Sequence, residues 1–205
     1  MAYVETTRMG GEGTVAVVTL NRPETRNAFN SQMAMEIDEA FRSLADTDAR
    51  VVILTSSSEH AFCSGADLKE RMELSEAEWR EQHEKFEQMF NTIADMPQPI
   101  IAEVDGFALA GGFEMALNCD FMVAAETAMF GLPEVTRGIM PGGGGSRLLA
   151  RRIGVHRAVD NLFNMEPNQA RMLEMIYYDK CLDTRDREEG VRAFVEKRTP
   201  RFIGQ

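Results

Sequence analysis

Short apolar segments rich in β-branched residues alternate along this chain with longer segments whose apolar residues recur at helical spacing. Residues 14–21, TVAVVTLN, and 50–58, RVVILTSSS, have the composition of buried strands. Between them, residues 30–46 carry apolar side chains three or four positions apart, as an amphipathic helix does. Alternating strands and helices form parallel sheets with right-handed crossovers. The sequence therefore predicts an α/β fold.

The same alternation continues towards the middle of the chain. Ser75 and Glu78 have the spacing of a capping box at the start of a second long helix. His83 lies on the Glu-rich side of that helix, and we expect it to be solvated. The further predicted elements are a strand over 100–106, a helix over 111–119 and a strand over 121–126.

Length, charge and cysteine content narrow the class of protein. The 205 residues, 44% of them hydrophobic, are enough for one domain with a sizeable core. A net charge of −11 argues against binding to duplex nucleic acid or to anionic membranes. Three widely spaced cysteines predict free thiols in a reducing compartment. Without a signal pattern or a membrane-spanning run, we expect a cytoplasmic protein, or a matrix protein after removal of its transit peptide.

Two glutamates stand in apolar, glycine-rich surroundings. Glu114 lies in GFALAGGFEMALNCD, in the first turn of an apolar helix, where it could simply interact with the helix dipole. Its neighbours predict burial, however, and a buried carboxylate needs partners or a raised pKa. Glu134 follows FGLP and could be an acid on a surface loop. Taken together with the glycines, the pair indicates a catalytic site.

Other kinds of site find less support. The segment 141–149, PGGGGSRLL, lacks both the Lys-Ser/Thr ending of a P-loop and the GxGxxG spacing. It is better explained as a turn that leads into a helix, although its amides could still face a ligand. The three histidines are scattered, which gives no basis for a catalytic triad. No His/Cys cluster of the zinc type is present, so no metal site is predicted.

Five blocks of sequence resemble a known superfamily. NRPETRNAFN, AFCSGADLKE, AEVDGFALAGGFEMALNCD and FGLPEVTRGIMPGGGG are similar to successive signatures of the crotonase (enoyl-CoA hydratase/isomerase) superfamily. DREEGVRAFVEKRTPRF resembles its C-terminal end, and the match covers nearly the whole chain in order. The resemblance implies a ββα spiral core of the crotonase type with a C-terminal helical tail.

The resemblance also implies a reaction. Family members that hydrate enoyl-CoA carry glutamate at both positions, so it implies reversible addition of water to a trans-2-enoyl-CoA. Glu114 would activate the water, and Glu134 would deliver the proton to C2. Backbone N–H groups of Ala66 and Gly111 would form the oxyanion hole. Gly142 would support the same pocket. No metal or redox cofactor is implied, because coenzyme A is part of the substrate.

Further positions are carried over from the family's coenzyme A groove and acyl pocket. Each groove position could equally be a surface charge or a core aromatic. The groove positions are Arg26, Lys69, Phe194 and Lys197, the last two often reaching a neighbouring subunit's groove. The acyl pocket is expected to involve Leu68, Phe130, Leu132 and some of the methionines.

The chain departs from the family after residue 156. About fifty residues of the family pattern are absent from this sequence near His156–Arg157, either because the sequence omits a segment there or because the protein is shortened. We therefore divide it into a catalytic core, 1–156, and a C-terminal helical segment, 157–205, used in trimerisation and in the coenzyme A groove. The resemblance implies a homotrimer or hexamer, since the superfamily typically forms trimers that pair into hexamers, and the apolar side chains over 172–181 suit such an interface.

Several alternatives to a hydratase stay open from the sequence. Within the fold, they are an enoyl-CoA isomerase, a specialised acyl-CoA dehydratase and a hydrolase. Outside enzymes of this kind, the shortened chain could be a non-catalytic relative or an RNA-binding one. The acidic net charge counts against RNA. The acyl chain length is not predicted.

Overall fold

A five-stranded sheet forms one layer of the fold, which the computed structural model describes for residues 2–11, 13–153, 178, 181 and 184–204. The first pair of strands is antiparallel and the remaining pairs are parallel. The strands, in their order across the sheet, are β1 (Val4–Met9), β2 (Val15–Leu20), β3 (Val51–Ser56), β5 (Ile100–Val104) and β7 (Phe121–Ala124).

A second, three-stranded sheet is entirely parallel. It consists of β4 (Ala61–Cys63), β6 (Phe107–Leu109) and β8 (Met129–Gly131), in that order. Each of its strands directly follows a strand of the larger sheet, since β4 follows β3, β6 follows β5 and β8 follows β7. The chain therefore steps between two sheets before its next helix, which confirms the ββα pattern and the α/β class.

Helices connect these strand pairs. Asn30 caps α1 by accepting a hydrogen bond from the Met33 N–H, and the predicted capping box of Ser75 and Glu78 begins α3. In the described part of the chain, the helices with defined bounds are α1 (Ser31–Ala45), α2 (Leu68–Glu73), α3 (Glu76–Ala94), α4 (Gly111–Asn118), α5 (Gly145–Ile153) and α6 (Arg185–Val195). Within the described residues, no helix is both long enough and apolar enough to cross a bilayer.

One apolar core joins the larger sheet to the helices. In β2, every second residue is fully buried, as half-buried strands require: Ala16, Val18 and Leu20. They belong to one cluster with residues of β3, β5, α1, α3 and α4. Cys63 and Cys119 are buried there as free thiols, and burial raises the pKa of each to about 12. They are protonated core residues rather than nucleophiles.

The structure corrects the prediction for His83, which is buried rather than solvated. Its ring stacks on the ring of Tyr178 with 4.0 Å between centroids, because α3 turns this face inward. The prediction failed because helical periodicity placed His83 on the polar side of α3, and its aromatic partner, Tyr178, lies far away in the sequence. The sequence also missed four strands, namely β1 and the three-residue strands β4, β6 and β8.

Candidate active site

Both glutamates singled out in the sequence line one cavity of about 740 Å³, here called the glutamate cavity. Glu114 reaches it from α4, and Glu134 reaches it from the 3-10 turn Glu134–Arg137 that follows β8. Another part of the wall is formed by the start of α4 and by the turn between β4 and α2 that contains Ala66, here called the Ala66 turn. Each of these segments follows a strand of the smaller sheet, so the pairing of β4, β6 and β8 brings together segments that are far apart in the sequence.

Two backbone amides in the wall are available to a ligand. The Phe29 N–H donates to the Gly65 carbonyl, and the Asp67 N–H donates to the Phe29 carbonyl. The N–H of Ala66, which lies between Gly65 and Asp67, takes no part in these two hydrogen bonds. Gly111 is the first residue of α4, where an N–H has no acceptor within the helix. Within the described part of the chain, neither the Ala66 nor the Gly111 N–H donates to a protein acceptor.

Gly65 allows these two amides to approach each other. A Cβ at Gly65, where φ is +97°, would lie 3.2 Å from the nitrogen of Gly111 and 2.8 Å from the Cβ of Ala110. Ala110 itself has φ 50° and ψ −129°, a conformation that residues with a Cβ rarely adopt. Such strain persists only where the surrounding structure enforces it, and it is common at functional sites.

Glu114 is buried and anchored. Its Oε1 accepts hydrogen bonds from the N–H groups of Gly143 and Gly145, each over 2.8 Å. The Gly143 carbonyl in turn accepts from the Asn118 side chain over 2.7 Å, which ties the loop back to α4. The glycine-rich loop therefore directs amides at a carboxylate of its own chain. Hydrogen bonds from N–H groups favour the ionised form of a carboxyl.

Glu134 is buried in a different environment. Only 4% of the residue is exposed, and within the described residues neither carboxylate oxygen has a hydrogen-bond partner. Loss of hydration raises the pKa of Glu134 to about 7, although its own backbone N–H and, to a lesser extent, the Arg137 guanidinium pull it down. Near neutral pH this carboxyl therefore holds a proton that it can give away. The cavity thus combines an anchored carboxylate, a proton-holding carboxyl and two free amides.

Comparison with known proteins identifies the family of this chain. Residues 10–170 match the family described as enoyl-CoA hydratase/isomerase. This chain belongs to the enoyl-CoA hydratase/isomerase family. It is 35% identical to enoyl-CoA hydratase domain-containing protein 2, mitochondrial, from Bos taurus, over 251 aligned positions covering 93% of this chain and 85% of that protein.

Two further relatives support the assignment of this chain to the enoyl-CoA hydratase/isomerase family. A short-chain-enoyl-CoA hydratase from Clostridium acetobutylicum is 38% identical over 169 residues, covering 80% of this chain and 65% of that one. The crystal structure of an enoyl-CoA hydratase from Bacillus anthracis has a TM-score of 0.73 and 29% identity, covering 99% of this chain and all of that one.

The alignment with the bovine relative spans 251 positions, whereas this chain has only 205 residues. The relative therefore has residues without a counterpart in this chain. Their predicted place, His156–Arg157, lies outside the described residues. The division into 1–156 and 157–205 therefore stays a prediction.

The structure brings most of the other predicted positions of this family member to the glutamate cavity. Those that line it are Arg26, Leu68, Lys69, Gly142 and Phe194. Phe194 reaches the cavity of its own chain, because α6 packs against the Glu134 turn. The expectation that it serves a neighbour's groove stays a prediction.

Three predicted positions lie elsewhere. Phe130 is 38% exposed, and its ring packs against Phe113 with 5.1 Å between centroids, away from the cavity lining. Leu132 packs against the main core. Lys197 follows the end of α6 and does not line the cavity either. Matching positions to a motif could not decide these side chains' directions.

Sequence reasoning missed a group on the cavity wall formed by Arg71, His83 and Tyr178. Arg71 is buried and donates to the Tyr178 hydroxyl over 2.9 Å and to the Gln82 side chain over 2.9 Å. The three residues come from α2, α3 and the C-terminal segment, and no local pattern connects them. Within the described residues, no cluster of histidine, cysteine or acidic side chains could hold a metal ion.

Proposed function

We propose that this protein is an enoyl-CoA hydratase, which reversibly adds water to the 2,3-double bond of a trans-2-enoyl-CoA. One observation carries the proposal: two buried glutamates with unlike environments line the same cavity as two backbone amides that donate to no acceptor among the described residues. Adding water across a double bond needs both a base for the water and an acid for the adjacent carbon. A single carboxylate would not supply both at once.

In the proposed reaction, the thioester oxygen lies between the N–H groups of Ala66 and Gly111. Glu114 takes a proton from a water molecule, whose oxygen forms a bond to C3. The electron pair of the double bond moves through C2 to the thioester oxygen, where the two amides stabilise the negative charge. Glu134 then gives its proton to C2, and the carbonyl forms again. The two carboxyls exchange protonation states, and solvent restores them.

The environments of the two carboxyls support these roles. Two N–H groups hold Oε1 of Glu114, so this side chain is fixed in place and its ionised form is stabilised. Glu134 has a pKa of about 7 because it is desolvated, so it carries a proton at neutral pH more often than an ordinary glutamate. An acid with a pKa near the working pH is the efficient choice.

Binding of the coenzyme A part is proposed for the positive and aromatic side chains of the cavity wall. Arg26 and Lys69 stand near the Ala66 turn and suit phosphate groups. Phe194 suits the adenine ring, since aromatic faces stack on bases. The proposed reaction uses no metal and no redox cofactor.

The test is an assay of the purified protein with crotonyl-CoA, followed by loss of the conjugated thioester absorbance. Glu114→Gln and Glu134→Gln should each lower kcat by roughly 10²- to 10⁴-fold. Glu103→Gln is the matched control, because Glu103 is exposed on β5. Absence of turnover with crotonyl-CoA and with longer or branched enoyl-CoAs would refute the proposal.

An enoyl-CoA isomerase is the second candidate, and one observation favours it. Oε1 of Glu114 is already occupied by two amides, which leaves Glu134 as the better-suited proton carrier. A double-bond shift needs only one group that removes a proton from C4 and returns it to C2. An isomerase should therefore keep most of its activity in Glu114→Gln and lose it in Glu134→Gln, whereas a hydratase should lose it in both.

A further inference from the structure

The side chain of Glu134 has no anchor of its own. Its carboxylate oxygens have no hydrogen-bond partner among the described residues, in contrast with Oε1 of Glu114. The position of its carboxyl group therefore depends on the backbone of the turn that carries it. That turn is a single 3-10 turn, Glu134–Arg137, closed by Gly138 in a left-handed conformation with φ +66°.

The backbone of α6 touches this turn at two glycines. A Cβ added to Gly190 of α6 would stand 2.6 Å from the Cα of Arg137 and closer still to its carbonyl group. In the reverse direction, a Cβ added to Gly138 would stand 2.6 Å from the carbonyl carbon of Asp186. Real side-chain carbons do not come so close to backbone. Each element thus presents a glycine to the backbone of the other.

A third contact extends the junction to the end of α6. The Arg137 guanidinium lies over the ring of Phe194, 4.8 Å from its centroid. Asp186, Gly190 and Phe194 are four residues apart, so one face of α6 makes all three contacts. Glycine is a poor helix former, and its presence inside α6 is explained by this close approach.

From these contacts we infer that α6 positions Glu134, and that Gly138 and Gly190 are positioning residues for it. The inference rests on the proposed hydratase function and adds a role for the C-terminal helix within its own chain. An added methyl group would force the two backbones apart. Because the turn has only four residues, it cannot take up this displacement locally, and the carboxyl of Glu134 would move together with the backbone of the turn.

The test is a double-variant cycle. Gly138→Ala and Gly190→Ala should each lower kcat with crotonyl-CoA by roughly 10- to 100-fold while the protein stays folded. Gly13→Ala is the matched control for the first, since Gly13 also has φ +66° but only distant neighbours. Gly11→Ala is the control for the second, because a Cβ there meets nothing within 4 Å. Both controls should keep their activity within about 2-fold of the wild type.

Making the alanine changes both in the wild type and in Glu134→Gln distinguishes a loss of Glu134 positioning from a general loss of activity. In Glu134→Gln, whose acid is already lost, the same alanine changes should lower the residual kcat by no more than about 2-fold. An equal loss in both backgrounds overturns the inference, as does full activity of Gly138→Ala and Gly190→Ala. If the alanine variants fail to fold, Phe194→Ala, which adds no atom, replaces them in the cycle and is judged by the same rule.

A second measurement does not depend on turnover. A water-soluble carbodiimide with a glycine ester labels accessible carboxyls, and mass spectrometry locates the label. Glu134 should be protected in the wild type and in both controls, and labelled in Gly138→Ala or, failing that, Phe194→Ala. Protection in every variant overturns the inference. A wild type without hydratase activity but with this labelling pattern contradicts the proposed function and leaves the positioning by α6 supported.

Discussion

Oε1 of Glu114 lies 2.8 Å from the amide nitrogen of Gly143 and accepts its hydrogen bond. This contact joins α4 to the loop before α5, and the Gly145 N–H repeats it at the same distance. The other glutamate of the cavity has no such support among the described residues. The two carboxyls are therefore expected to respond differently to mutation and to pH.

Removal of the Glu114 carboxyl should affect stability, and replacement by an amide should not. In Glu114→Gln, the amide oxygen can still accept from Gly143 and Gly145, so the free energy of unfolding should stay close to that of the wild type. Glu114→Ala leaves two buried N–H groups without their acceptor, which costs about 1–3 kcal/mol each. Urea denaturation measures both variants. Equal stability of the two would show that the anchor contributes nothing to folding.

The pH dependence of hydration should follow Glu134. Its pKa is raised to about 7, and the form that donates a proton is the neutral one. In the direction of hydration, kcat/KM should therefore be high below about pH 7 and fall roughly tenfold per pH unit above it. Glu134→Gln should lack this limb in its residual activity. A profile that is unchanged by Glu134→Gln would assign the limb to another group.

Stability should also depend on the protonation of Glu134. The folded protein holds this proton more tightly than the unfolded chain, because the pKa rises from 4.5 to about 7 on folding. Stability relative to Glu134→Gln is therefore fully present below about pH 4.5 and is lost as pH rises through about 7. The difference should amount to roughly 2–3 kcal/mol. Denaturation of both proteins at about pH 5 and pH 8.5 measures it.

Arg26 and Lys69 should affect the binding of coenzyme A more than the chemical step. Each alanine variant should raise KM for crotonyl-CoA by roughly 5- to 30-fold with kcat within about 2-fold, since a charge-assisted bond contributes about 1–2 kcal/mol. Lys85→Ala is the control, because Lys85 is half-buried on α3 and does not line the glutamate cavity. A change in kcat alone would contradict this assignment.

Lys197 provides a separate test of the groove, because it lies outside the glutamate cavity of its own chain. The sequence predicts that Lys197→Ala weakens binding of coenzyme A more than it weakens folding. A higher dissociation constant with unchanged unfolding would indicate that the ligand extends beyond the cavity. An unchanged dissociation constant would remove Lys197 from the groove.

Assembly into trimers or hexamers stays a prediction, with a new surface to test. Of the apolar side chains over 172–181 first suggested for it, those over 172–177 lie outside the described residues, and Cys181 is half-buried. Phe121 and Val123 on the edge strand β7 are each 61% exposed, and Met129 on the edge strand β8 is 58% exposed. Such apolar edges are usually covered by a partner. We expect a trimer or hexamer by light scattering.

A matched pair of variants tests this surface. Met129→Asp should lower the oligomeric mass, whereas Met9→Asp, similarly exposed on β1 at an edge of the larger sheet, should not. A monomeric wild type with full activity would end the prediction of assembly. Loss of assembly in both variants would mean that β8 is not the specific contact.

The sequence determined the local features of this protein, and the structure agrees with them. Strand and helix periods, the capping box of Ser75 and Glu78 and the apolar setting of Glu114 depend on neighbours within a few residues. Motif order then sufficed to place Ala66 and Gly111 in one site. Short strands such as β6 were missed because three residues carry too little periodicity to be recognised.

Only the tertiary structure decided which distant groups meet. It turned His83 inward onto Tyr178, and it directed the amide of Gly143 at Glu114 rather than at a ligand. It also placed Gly190 against the turn of Glu134, more than fifty residues earlier in the chain. A local pattern records which side of an element is apolar, and the backbone paths of all elements together fix which atoms that side contacts.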